Sequence, residues 1–282
     1  RRVILTIFLQ NQKMREQKPI LQVELAEGIM DKEHIVKSYD NDLNRLEQLI
    51  AEMGGLAEAQ LSGSIESLKF FDTEAAGKLI AKDKRLDELE VEIDEFIIRL
   101  LALRQPMAED LRTIITGLKI SSNLERIGDY SKNIAKRTST LSQSTSISTL
   151  IKGPIRIISS MASIVQLMIK NVLDAYVERD ADKADDVRAR DEEVDALHSS
   201  LFRELLTYMM EDPRNISACT HLLFVAKNVE RMGDHVTGIA EQIHFMVHGS
   251  LPPDDRIKGD NSSTEAVYIN GSEEKSARMI DD

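Results

Sequence analysis

A chain of 282 residues, 42% hydrophobic and 30% charged, holds the material for one large or two modest cores, which excludes disorder throughout. Tryptophan is absent and aromatics reach only 4%, a composition that favours packed helices over a sheet-based core. With 48 acidic against 36 basic side chains the formal charge is -12, a field that repels phosphate backbones and disfavours direct nucleic-acid binding.

Residues 1–29 lie ahead of any clear amphipathic pattern and read as an extension, either foreign to the core or disordered. No run approaches the roughly 20 apolar residues a membrane span requires, and the single cysteine, Cys219, cannot form an internal disulfide. Both point to a soluble, cytoplasmic protein. From Glu33 onward apolar residues recur three and four apart, the helical period. After a first long helix, Asp72-Thr73 offers an N-cap for a second, whose seam reads Leu86, Leu89, Ile93, Phe96, Leu100 and Leu103. Pro106 ends it, and a third helix runs from about Met107 to Thr138. A Ser/Thr-rich stretch, Thr138 to Thr149, reads as a linker. The pattern then restarts, with helices near Pro154 to Glu178, Asp191 to Met210, and on to His248, the last carrying a seam from Leu222 to Met246. The expected fold is all-α: two tandem homologous three-helix bundles, six long helices in all, over 30–140 and 141–248, followed by a mobile acidic tail over 249–282.

The duplication is legible in one motif. Asn123-Leu-Glu125-Arg126-Ile-Gly128-Asp129 returns 105 residues later as Asn228-Val-Glu230-Arg231-Met-Gly233-Asp234. Each preceding helix also carries an aspartate pair, Asp83 with Asp87 and Asp191 with Asp195. Residues four apart share a helix face. Two antiparallel helices therefore bring four carboxylates together in each half: Asp83, Asp87, Glu125 and Asp129, then Asp191, Asp195, Glu230 and Asp234. Oxygen-only donors favour hard cations such as magnesium, manganese, calcium or ferric iron. Relative to the last seam, Glu230 and Asp234 sit well round the helix, so the sites are expected as surface patches. Carboxylates on an exposed face are ordinarily solvated or paired with cations such as Arg126 and Arg231, and duplication on two helices is what tilts the reading toward an ion. Gly128 and Gly233, costly inside a helix, require a close approach by a neighbouring helix or an ion. Asn123 and Asn228 are candidates for supporting hydrogen bonds or plain surface polarity.

These words, with Arg104-Gln-Pro-Met-Ala-Glu-Asp-Leu-Arg112 and Glu211-Asp-Pro-Arg-Asn-Ile216, resemble the PhoU family of accessory regulators of phosphate-specific transport, across about His34 to His248. The resemblance implies multinuclear metal clusters on the eight acids above, of iron or another hard cation, with magnesium, manganese or zinc as variants. It also implies restraint of phosphate uptake and the phosphate-starvation response through contact with the transporter ATPase PstB and the sensor kinase PhoR, peripheral to the membrane, without catalysis. A homodimer is compatible with this reading.

Two other readings compete. Asp195-x-x-His198 and Glu241-x-x-His244 resemble the acid-histidine ligands of a carboxylate-bridged di-iron oxidase, yet Glu90 and Ser139 replace the histidines in the first half. The second rival is a metal-independent helical scaffold that meets partners through its acidic faces. No phosphate-cradling glycine loop and no Ser-His-Asp or Cys-His arrangement is present.

Overall fold

The computed structural model describes residues 39–143 and 152–253. The extension over 1–29, most of the Ser/Thr-rich linker, and the tail beyond 253 lie outside the described residues. In chain order the elements are α1 (39–70), α2 (Thr73–Lys82), α3 (Lys84–Arg104), α4 (Glu109–Leu141), α5 (Lys152–Glu178), α6 (Ala181–Glu211) and, after one 3-10 turn, α7 (Ile216–His248). α2 and α3 form one rod interrupted for a single residue at Asp83, which keeps α-region angles of φ -55 and ψ -35. The chain is therefore all-α, three long helical elements per half, with no strand among the described residues.

The halves repeat each other down to their turns. In the first, Phe71 takes a left-handed φ of 51 and the Asp72 carboxylate accepts a hydrogen bond from the Ala75 amide. In the second, Arg179 has a φ of 54 and the Asp180 carboxylate accepts from the Lys183 amide. Each aspartate satisfies a donor that the first helical turn would otherwise leave unbonded. That cap starts α6 ten residues ahead of the expected Asp191. The charged run between Asp182 and Arg190 hides the start, because its core stripe is only Ala181, Ala184 and Val187. The seam of the second helix also drifts. Leu86, Leu89, Ile93, Ile97 and Leu100 are buried, whereas Leu103 is 73% exposed and Phe96 only borders the core. A strict 3,4 alternation overruns a straight helix of 3.6 residues per turn. The seam of α7, Leu222 to Met246, is buried at every expected position.

By length and composition α5 is apolar enough to cross a membrane, with a mean hydropathy of 1.3 over its best window, contrary to the expectation that no segment comes near. Here it carries a buried stripe, Ile155, Ile158, Met161, Val165 and Val172, packed into the bundle core. Cys219 is free and buried, and burial pushes its thiol pKa up.

The two halves join through α4 and α7, which run antiparallel. Thr116 donates from Oγ1 to the Gln242 carbonyl at 3.3 Å. Their counterparts 105 residues away, His221 and Arg137, also meet, at 3.2 Å. Tyr130 and His235 are repeat equivalents of one another, and their rings touch at 5.6 Å. Contacts that exchange in this way define a pseudo-two-fold axis through the helix crossing. The two Asn-x-Glu-Arg-x-Gly-Asp segments lie at its centre.

Candidate metal centres

The interrupted rod α2–α3 carries the aspartate pair of the first half, and α4 carries its motif. Asp83 is 2% exposed, and its Oδ1 lies 3.5 Å from where a Cβ on Gly128 would stand. The missing side chain makes room for Leu86, whose Cδ1 would be 2.6 Å away, while the carboxylate lies in ordinary contact beside it. Lys132 sets its ammonium 2.5 Å from Asp83 Oδ2 and 3.4 Å from Asp129 Oδ1, bridging the two helices. Arg126 lies 3.6 Å from Glu125 and 3.7 Å from Asp129 on the rim.

Electrostatics show that these acids share one field. Burial, then Asp129 and Glu90, push the Glu125 pKa up to about 7, against a smaller lowering by Arg126. Burial, then Asp83, raise that of Asp87, with Asp129 adding and Lys132 opposing. All four expected acids of this half are thus gathered, and Glu90 joins them.

The second half repeats the arrangement deeper inside. Asp191 is 1% exposed, Asp195 5% and Glu230 6%. The Asp191 carboxylate occupies the space a Gly233 side chain would fill, whereas at Gly128 Leu86 fills it and Asp83 is only in van der Waals contact. Lys227 donates from Nζ to Glu230 Oε1 at 2.8 Å. Asp234 is half-buried.

The expected surface patch is therefore corrected in the second half to a largely enclosed centre, whereas in the first only Asp83 is buried, Glu125 and Asp129 are half-buried and Asp87 is exposed. Glu230 sits off the main α7 seam, but α7 also packs against α4, α5 and α6, so its buried arc is wider than one stripe. The donor chemistry fits a hard cation, with carboxylate oxygens on two facing helices. As the side chains stand, however, no three acid, His or Cys groups among the described residues are arranged to hold one ion. The two lysines, which sequence reasoning passed over, lie among the acids. Their signal was present: Lys132 follows Asp129 by three residues and Lys227 precedes Glu230 by three, both helical contact spacings.

Other expected roles divide. Asn123 faces the dyad and not the acids: its Oδ1 meets His235 Nδ1 at 2.9 Å and its Nδ2 donates to the Lys119 carbonyl at 2.8 Å. Burial lowers the His235 pKa, so the ring is neutral at pH 7 and donates from Nδ1 to the Asn123 oxygen. Asn228 is half-buried, and Arg126 and Arg231 are exposed. The acid-histidine pairs of the oxidase reading stand apart. His244 Nδ1 pairs with Asp185 at 3.3 Å and Glu241 with Arg188 at 3.7 Å. Asp185 precedes Asp195 on α6 by ten residues, about 15 Å along the helix.

Glu125 yields a pH prediction. A carboxyl whose folded pKa lies above its ordinary 4.5 stabilises the fold below that value and loses the contribution as pH rises through about 7. In chelator-stripped protein, Glu125→Gln should abolish a loss of about 1–2 kcal/mol between pH 4.5 and 7.5, a figure discounted for partial solvent contact. Thermal melts across that range check it, and equal pH slopes for both proteins would overturn it.

The PhoU domain family model matches residues 50–138 and again 158–243, one copy on each half. The chain belongs to the PhoU family. Among similar proteins, the phosphate-specific transport system accessory protein PhoU homolog of Rhizobium meliloti (strain 1021) is 47% identical over 235 residues, covering 83% of this chain and 98% of that one. The PhoU homolog of Caulobacter vibrioides (strain NA1000 / CB15N) is 50% identical over 228 residues, 81% and 97% of the two chains. Among solved structures, PhoU from Pseudomonas aeruginosa superposes with a TM-score of 0.70 at 36% identity, covering 75% of this chain and all of that one. The PhoU regulatory protein from Streptococcus pneumoniae reaches the same TM-score at 27% identity, covering 76% and 99%. The PhoU core thus corresponds to the paired bundles described above.

Proposed function

We propose that this chain is a negative regulator of phosphate uptake and of the phosphate-starvation response. It acts in the cytoplasm, without turnover, by contact between the phosphate transporter ATPase PstB and the sensor histidine kinase PhoR. What carries the reading is family membership in both halves, together with relatives named as accessory to phosphate-specific transport over nearly their whole length. The test is affinity capture of the tagged chain from phosphate-replete cells, paired with a phosphate-starvation reporter in a deletion strain. Recovery of the ATPase and the kinase, with a reporter active in high phosphate after deletion, is the expected result. Recovery of neither, with a silent reporter, would overturn the proposal.

The acidic centres enter this function as sites for a hard cation, held by Asp83, Asp87, Glu125 and Asp129 in one half and by Asp191, Asp195, Glu230 and Asp234 in the other. Support comes from the shared field of the first cluster and from a carboxylate seated against each motif glycine. Metal analysis of chelator-free protein should find bound metal that falls at least severalfold in the Asp129→Ala/Asp234→Ala double variant. Equal, negligible metal in both would leave the metal-independent scaffold, which the lysines now within each cluster favour.

A further inference from the structure

A carboxylate as enclosed as Asp83, 2% exposed, is stable in its charged form only beside a counter-charge. Lys132 supplies it, bridging Asp83 on one helix and Asp129 on the next. Lys227, three residues earlier on the same helix, supplies the counter-charge for Glu230, itself 6% exposed. The two lysines are not repeat equivalents. The position matching Lys132 in the second half is Thr237, and the position matching Lys227 in the first is Ser122. A lysine inherited through the duplication would stand at matching places. Here each half brings an ammonium to its own acidic centre from opposite ends of the motif, Lys132 to Asp83 and Asp129 and Lys227 to Glu230, so a cation at the centre is not a relic of the repeat.

We propose that Lys132 and Lys227 are tethered counter-ions, which hold the acidic centres closed when no ion is bound and swing outward when a hard cation enters. The proposal rests on the cation reading above. An ammonium among the acids blocks ligand positions and repels an incoming cation over a few ångströms, so each lysine sets the affinity of its own centre. Both side chains retain solvent contact, 27% for Lys132 and 35% for Lys227, and their flexible stems can carry the charge out to water. Loading would then change the outward face of the bundle, because a positive charge leaves the interior for the surface beside the motif.

The test titrates Mn2+ into chelator-stripped full-length protein, reading free Mn2+ by electron paramagnetic resonance, for wild type, Lys132→Met, Lys227→Met and Lys132→Arg. Each methionine variant should tighten one class of site by about tenfold or more, since losing an adjacent like charge is worth at least a decade of affinity. Lys132→Arg, which keeps the charge, should stay within about threefold of wild type. Stripped Lys132→Met should also melt several degrees lower, with saturating Mn2+ closing the gap. If stripped Lys132→Met fails to fold, Lys227→Met carries the same comparison at the other centre. Methionine variants that bind Mn2+ no more tightly than wild type would overturn the counter-ion role and leave the cation reading standing. No Mn2+ binding by any protein would overturn both.

Discussion

Ile127→Ala and Met232→Ala are each expected to destabilise the protein by about 2–5 kcal/mol, lowering its melting temperature by roughly 5–15 °C. The two residues are repeat equivalents, each 0% exposed, in the segments of α4 and α7 that cross at the pseudo-two-fold axis. A cavity there removes packing that helices of both halves share. The loss should therefore appear in both bundles at once, as one cooperative transition displaced downward. Circular dichroism at 222 nm, followed alongside near-ultraviolet tyrosine signals, checks it. Four of the five tyrosines are spread over both halves, Tyr39 and Tyr130 in one and Tyr176 and Tyr208 in the other, and the fifth, Tyr268, follows them. Two separated transitions would mean that the halves fold independently and that the α4–α7 crossing is only an association.

Much of this architecture could be read from local pattern. The α7 seam is correct at every position because that helix is apolar enough for the stripe to stand out, and the Asp72 cap is visible as a polar residue just ahead of a periodic run. What escaped is what a one-dimensional period cannot carry. A single seam reports one packed face, whereas α7 meets three long helices and buries Glu230 on a second face. The break at Asp83 left no glycine or proline to mark it, since the residue keeps α-region angles and only the hydrogen-bond ladder is interrupted. The glycines of the motif were legible as close approaches. Their partners were not: one meets leucine and a carboxylate, the other a carboxylate first.

That difference separates Gly233→Ala from Gly128→Ala, two substitutions that the repeat would treat as equal. Alanine gains about 1 kcal/mol over glycine in a helix interior, so either change is stabilising if space allows. At Gly128 the nearest obstacle is the Cδ1 of Leu86, 2.6 Å from the new methyl, a terminal atom that can turn aside at modest cost. The gain and the cost should roughly cancel, leaving stability within about 1 kcal/mol of wild type. At Gly233 the obstacle is the carboxylate of Asp191, which is 1% exposed, with Val165 Cγ2 also 3.9 Å from the new methyl. Displacing a buried charge from its polar surroundings costs more than the helix gains, for a net loss of about 2 kcal/mol. Chemical denaturation of the metal-stripped proteins reads both changes, and Mn2+ titration of Gly233→Ala should lose one class of site while Gly128→Ala keeps both. Equal losses in the two variants would mean that the carboxylate moves as easily as the leucine, and that Gly233 gives no control over the geometry of its centre.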